Sequence, residues 1–290
     1  MNNLVLIKAP AVEPITLADA KLQLGFSPWE DSDHVKGRIL ADVLRPFIRA
    51  ARRDCETYTR RVFMTQTWLL KMDGFPGADF NYNYNGYPAI YIPQPPLQSI
   101  EFLNYVDVSG VMQTLEIDLT YGVNPAAQYG YQLTPGSETQ LARVLPPFAR
   151  PWPPQRMVPE NTLLQFKCGY GGPVTVSMTL GSAILSGPVW NPGDVGQALS
   201  IPGAGVGGVA LETTLASVDA NGQGTAGAAA ATAVTNVTAY AGQAVPDEIL
   251  TAIKMRVEYH YELKDWTPQQ AAKQEQAIYS ILKPYRNLVA

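Results

Sequence analysis

This sequence predicts an α+β protein: a helical bundle made by N- and C-terminal helices, a β-rich middle, and an inserted small β module. Three observations carry that prediction. Apolar residues recur at helical spacing near both ends of the 290-residue chain. Its 24 Gly and 24 Pro fall mostly between Phe75 and Gly242, where they separate short runs rich in β-branched and aromatic residues. Finally, the composition changes at Pro173: from there to Gln243 there is no Lys or Arg, and the only charges are Asp194, Glu212 and Asp219. The chain therefore divides into 1–172 (N-terminal helices and β-rich middle), 173–243 (inserted module) and 244–290 (C-terminal helices completing the core).

Thr16 opens a short helix, with Asp19 at its third position, Gly25 at its end, and Leu17, Leu22 and Leu24 as its apolar residues. The strongest helical signal runs from Ser32 to Phe63, where Leu40, Leu44, Phe47, Ile48, Ala51, Cys55 and Tyr58 share one face. Ser32 and Asp33 are its candidate caps, and Pro46 inside the pattern predicts a kink. Off the apolar face lie Arg45, Arg49, Arg52, Arg53, Arg60 and Arg61, preceded by Lys36 and Arg38 and only partly offset by Asp42, Asp54 and Glu56. Such a run is either a solvated helix face or a docking face for an acidic partner.

Thr65 to Met72 then reads as a strand, residues 73–88 as a loop or hairpin arm, and Ile90 to Pro93 as a short extended run before the break at Pro95-Pro96. Ser99 to Val106 and Val111 to Leu115, joined by a turn at Asp107 to Gly110, form the clearest hairpin. Six prolines between Ala142 and Pro159 predict extended surface rather than sheet interior, and Leu163 to Cys168 gives a further strand. Between Pro173 and Gln243, Val, Thr, Ala and Ser runs alternate with Gly clusters, as expected of a small β module; a disordered linker is the alternative, disfavoured by the β-branched alternation. Helical character returns at Val245. Pro246 suits the first helical position, Asp247 and Glu248 suit the first turn, and Leu250, Ile253, Val257 and Tyr261 make one face. Thr267 and Gln270 form a capping box for a last helix running to about Lys283, stopped by Pro284.

With 46% hydrophobic and 16% charged residues the chain is globular and low in charge, and its net charge of -4 argues against sequence-independent DNA binding. Cys55 and Cys168 are too few for a disulfide framework and are expected as buried thiols. The first residues lack the pattern of a secretory signal, and no apolar run has the length of a bilayer span, so no membrane partner is expected and synthesis in a cytosol is.

No constellation of catalytic residues emerges. Gly203 to Gly208 formally fits G-x-G-x-x-G, but Pro202 precedes it and a strand-like run follows, so it reads as a tight turn rather than a dinucleotide site. His34 and His260 have no metal-ligand spacing, and Glu258, His260 and Glu262 read as helix surface. Asp31 and Asp33 lack any supporting residue for a carboxylate-pair site. The expectation is a protein that is not an enzyme and has no catalytic residue, cofactor or metal.

The opening APAVEPITLADAKLQL, the helix end ETYTRRVFMTQTW, the sequence DGFPG, the run IPQPPLQSIEFLNYVDVSG, and FKCGYGG followed later by VPDEILTAIKMRVEYHYE occur in this order. Together they resemble the head–tail connector (head-completion, adaptor) proteins of tailed bacteriophages, over roughly residues 5 to 172 and 244 to 290. The resemblance implies a structural subunit of the virion neck, made in the bacterial host cytoplasm. It also implies a homo-oligomeric ring, typically of twelve copies, that binds the portal protein, seals the DNA exit channel and offers a platform to the tail or next connector protein. DNA would pass through the lumen without specific binding. The chain departs from the family pattern at 173–243, which separates GYG from the helix it normally precedes. Arg45, Arg49, Arg52 and Arg53, with the last helix from Thr267 and Gln270 onward, are the candidate partner contacts. The alternatives are a phage-associated polysaccharide hydrolase, with Tyr82, Tyr84 and Tyr87 stacking on sugars, or a tail tip or adhesion protein.

Overall fold

The computed structural model describes residues 3–10, 12–26, 34–77, 88–117, 130–136, 140–147, 150–190, 194–263 and 265–287, with side chains of the second helix described from 42 onward. The caps proposed at Ser32 and Asp33, and Tyr82, Tyr84 and Tyr87, lie outside these residues. The fold is α+β, mostly β, with antiparallel sheets and four α-helices among the described residues. It separates into two compact units: 1–9 with 65–243, and 10–64 with 244–290. Of the two composition boundaries, the one at 243/244 is also a boundary between units and the one at 172/173 is not.

In the β unit, strands β1 (Asn3–Lys8), β2 (Gln66–Met72), β4 (Leu97–Val106), β5 (Met112–Leu115) and β8 (Thr162–Cys168) form an antiparallel sheet in the order β1-β2-β8-β4-β5. Its register places Leu4, Leu70, Leu164, Leu103 and Leu115 opposite one another in a single row. Residues directly opposite share a face, so this row is a ready-made core, and its last four members are buried. β1 was not legible as a strand in the sequence. A second sheet, order β3-β7-β6, joins β3 (Ile90–Tyr91), β6 (Gln132–Thr134) and β7 (Arg143–Leu145). This corrects the reading of 142–159 as surface only: Val144 pairs on both sides and is fully buried, and Trp152 is buried with its indole N–H donated to the Pro88 carbonyl at 2.8 Å.

The segment from β9 (Gly171–Met178) to β14 (Val234–Gly242) folds as a six-stranded sheet, order β10-β13-β12-β11-β14-β9, through β10 (Ile184–Leu185), β11 (Ala198–Ile201), β12 (Leu211–Val218) and β13 (Gly224–Ala226). Ordered strands replace the disordered-linker alternative. Gly171 pairs with Gly242, so the chain enters and leaves the segment at one place. Only glycine fits at that crossing: a Cβ on Gly171 would stand 2.7 Å from the Ala241 carbonyl oxygen, and Gly242 has φ 100. The interior is apolar, with Val176, Leu185, Trp190, Leu199, Ile201 and Leu215 among its buried residues. Gly203 to Gly208 is a turn between β11 and β12, with Gly203, Gly207 and Gly208 at positive φ.

The other unit holds the helices α1 (Leu17–Gln23), α2 (His34–Thr59), α3 (Asp247–Glu262) and α4 (Pro268–Leu282). α1 packs on α2 and α3, α2 on α3 and α4, and α3 on α4. Thr16 and Asp19 make the expected cap, in reciprocal form. Leu22, however, is exposed, and Ala20 is the residue α1 buries. α2 runs through Pro46 without interruption and buries Leu44, Ile48, Ala51 and Cys55 of the predicted stripe; Phe47 and Tyr58 are half-buried, and the Leu40 side chain lies outside those described. It ends at Thr59 rather than Phe63. Arg60 takes the left-handed conformation, φ 54, and the Arg61 amide bonds back to the Glu56 carbonyl, the geometry that closes a helix usually by way of glycine. Pro246 is the cap of α3 and not its first residue. Cys55 and Cys168 are both buried and in no disulfide, and burial pushes the Cys55 thiol up to about 12.

Candidate interaction surface

The arginines of α2 divide into two kinds. Arg45, Arg49 and Arg53 are exposed, as is Arg60 just past the helix end. Arg45 meets Asp42 at 3.9 Å with both side chains well in solvent, a weak pair. Arg52 does not share this face. It is 7% exposed, with Nε at 2.7 Å from Glu13 and an outer guanidinium nitrogen at 2.5 Å from Glu56. Glu56 in turn accepts the Phe63 amide at 3.0 Å. Burial pushes the Glu56 carboxyl above its ordinary range, against the pull of Arg52 and of that amide. Arg61 is likewise internal and donates to the Tyr285 carbonyl at 2.5 Å. Two of the six arginines read from sequence as one face therefore belong to the interior. A helical wheel places Arg52 beside the buried stripe, so its position was readable; that Glu13 would reach it was not.

A second polar cluster was missed in the sequence. Asp54 on α2 accepts Arg256 Nε at 3.0 Å and lies 3.0 Å from His260 Nε2, while Arg256 also stands 3.5 Å from Glu275 on α4. Tyr279 donates to Glu275 at 3.1 Å and stacks on Tyr58, with ring centroids 4.3 Å apart. Arg256 and His260 are one turn apart on α3, and that spacing is the only sequence signal of the site. His260 was expected on the helix surface; it is partly buried instead and stacks on Phe47. Desolvation, aided by the Arg256 charge, holds its imidazole below the ordinary 6.5, with Asp54 opposing.

Thr267 and Gln270 sit at the start of α4, where the Thr267 hydroxyl accepts the Gln270 amide and the Gln270 side chain accepts the Thr267 amide at 2.9 Å. Both are exposed, but their first role is to cap the helix. In the β unit the one buried carboxylate of the 173–243 segment, Asp194, reaches the five-stranded sheet. It accepts Ser99 Oγ at 2.9 Å and Gln197 Nε2 at 3.1 Å, and pairs with Lys167 Nζ at 3.1 Å. Among the described residues, no group of three or more His, Cys, Asp or Glu is arranged to hold a metal ion, and no helix is long and apolar enough to cross a membrane.

No protein-family model matches this sequence, and no curated protein does. Solved structures do match. A chain of the virion of a native gene transfer agent particle has the same fold, at a TM-score of 0.51 and 13% identity, over 99% of this chain and 96% of that one. The overlap thus includes 173–243, the segment that departs from the connector pattern. Chains of the neck of a native and of an empty gene transfer agent particle, computed with C12 and C6 symmetry, overlap more loosely, at TM-scores of 0.47 and 0.48 and 13% identity.

Proposed function

We propose that this protein is a structural adaptor of a bacteriophage particle. It forms a ring between portal and tail, seals the DNA exit channel and carries the tail attachment platform. It is not an enzyme and uses no cofactor. The observation that carries the reading is the end-to-end fold correspondence with a chain of a gene transfer agent virion, which leaves almost none of either chain unmatched. The ordered series of connector-like segments supports it independently. In this reading 1–172 and 244–290 form the connector core and 173–243 an addition to it. The exposed arginines of α2 and the exposed side of α4 from Thr267 meet neighbouring proteins. The β segment is fastened to the five-stranded sheet through Asp194.

The experiment is a null mutation in the producing phage. The reading predicts tailless heads that fill with DNA and lose it, with tails assembled separately. Intact tailed particles from the mutant would contradict it.

A further inference from the structure

We infer that a second copy of this chain is the partner of the α2 arginines, and that its α3 supplies the carboxylates. The inference rests on the adaptor reading only for the setting in which copies meet.

Arg45, Arg49 and Arg53 follow one another at four-residue steps on α2, and Arg60, just past the helix end in the left-handed conformation, is exposed as well. At 3.6 residues per turn Arg45, Arg49 and Arg53 fall within about a quarter of the helix circumference. Among the described residues, Arg49, Arg53 and Arg60 have no carboxylate at ion-pair distance, and Arg45 has only the long contact to Asp42. The row is all Arg and no Lys, which suits planar two-oxygen acceptors such as carboxylates.

α3 presents the opposite sign. Asp247, Glu248, Glu258 and Glu262 fall on the side of the helix opposite the buried Ile249, Ile253 and Val257; Asp247 and Glu248 are exposed, and Glu258 and Glu262, beside α1, are partly exposed. Lys254, at the margin of that side, is matched by Asp19 at 3.6 Å. Glu248, Glu258 and Glu262 accept neutral donors from Tyr285, Gln23 and Trp266, bonds that orient the carboxylates without cancelling their charge. The helical unit thus carries a basic stripe on one helix and an acidic stripe on another. Two copies meeting through the same face would set arginine against arginine. Meeting through different faces pairs opposite signs and leaves one face of each free for the next copy, which is the head-to-tail arrangement that closes rings.

Sedimentation velocity of the purified full chain across a salt series tests this. The wild type should associate at about 0.05 M salt and dissociate at about 0.5 M, where the screening length falls to a few ångströms. R49E with R53E, and E258R with E262R, should each weaken association at least tenfold while melting as folded proteins. An equimolar mixture of the two variants should associate again, since their inverted faces match. If the second variant does not fold, Glu258→Gln with Glu262→Gln keeps the hydrogen-bond acceptors and should still weaken association. A wild type that is monomeric at every salt, association indifferent to salt, or a mixture no better than its components would overturn the inference. Particle incorporation is read separately. Virions that take up both charge variants leave the adaptor reading standing and remove this contact, whereas virions lacking the wild-type chain remove the adaptor reading.

Discussion

The helical unit and the 173–243 segment bury charge in very different amounts. Inside the helical unit, Arg52 joins Glu13 and Glu56, Arg256 joins Asp54 and Glu275, and His260 meets the same Asp54. The β segment is closed by apolar side chains alone, and its one buried carboxylate, Asp194, is satisfied at its border with the five-stranded sheet. Apolar packing is tolerant of small shifts, while a buried ion pair has one good geometry and is costly when a partner is missing. The helices are brought together from opposite ends of the chain, and their charges fix how those ends meet. The β segment enters and leaves at a single glycine crossing, so packing suffices to hold it.

Arg52→Ala breaks this comparison most severely. It leaves Glu13 and a buried Glu56 without their cation and should cost about 3–5 kcal/mol, by analogy with broken buried pairs. Urea denaturation followed by the helical circular dichroism signal measures it; a loss below about 1 kcal/mol would mean the pair is only superficial. In the β segment, Leu215→Ala should cost about 2–5 kcal/mol as a cavity mutation. Hydrogen exchange should locate that loss in β11 to β14 and leave α2 and α3 protected as before. Equal loosening of the helices would erase the contrast between the regions.

Acid should act on the helical unit through His260. Its folded pKa is lowered, so below the ordinary 6.5 the unfolded chain binds the proton more readily than the folded one, and stability falls as the pH falls through that window. His260→Gln should flatten that dependence in melts taken between pH 5 and 7. Thr267→Ala removes the α4 cap and should cost about 1 kcal/mol, visible as a small drop in Tm. Smallest of all, Arg49→Glu with Arg53→Glu should change monomer stability by less than about 1 kcal/mol, since both side chains are exposed. A large loss would place those arginines with Arg52 in the interior.

Much of the fold was legible because periodicity and capping are local. The buried centre of the α2 stripe, the caps at Thr16 and Thr267, the hairpin of β4 and β5, and the strand read at 163–168 all follow from residues close in sequence. The misreadings were tertiary. β1 is a strand because it pairs with β2 far along the chain, Leu4 against Leu70 and Leu6 against Trp68, and Val144 is buried among prolines because β3 and β6 flank it. The end of α2 depended on an arginine adopting a conformation that glycine normally supplies. For the candidate surface, the charge of the α2 row could be read but not its division. Burial of Arg52 and Arg61, and the capture of Asp54 by Arg256 and His260, are set by residues from other helices and loops.

The adaptor reading is tested most directly by imaging purified phage particles with a label fixed to this chain. It predicts label at the head–tail junction of every tailed particle and at the portal vertex of heads that have not yet received a tail. Label at the tail tip or along fibres would contradict it, as would particles without label accompanied by clearing of host polysaccharide by the purified protein.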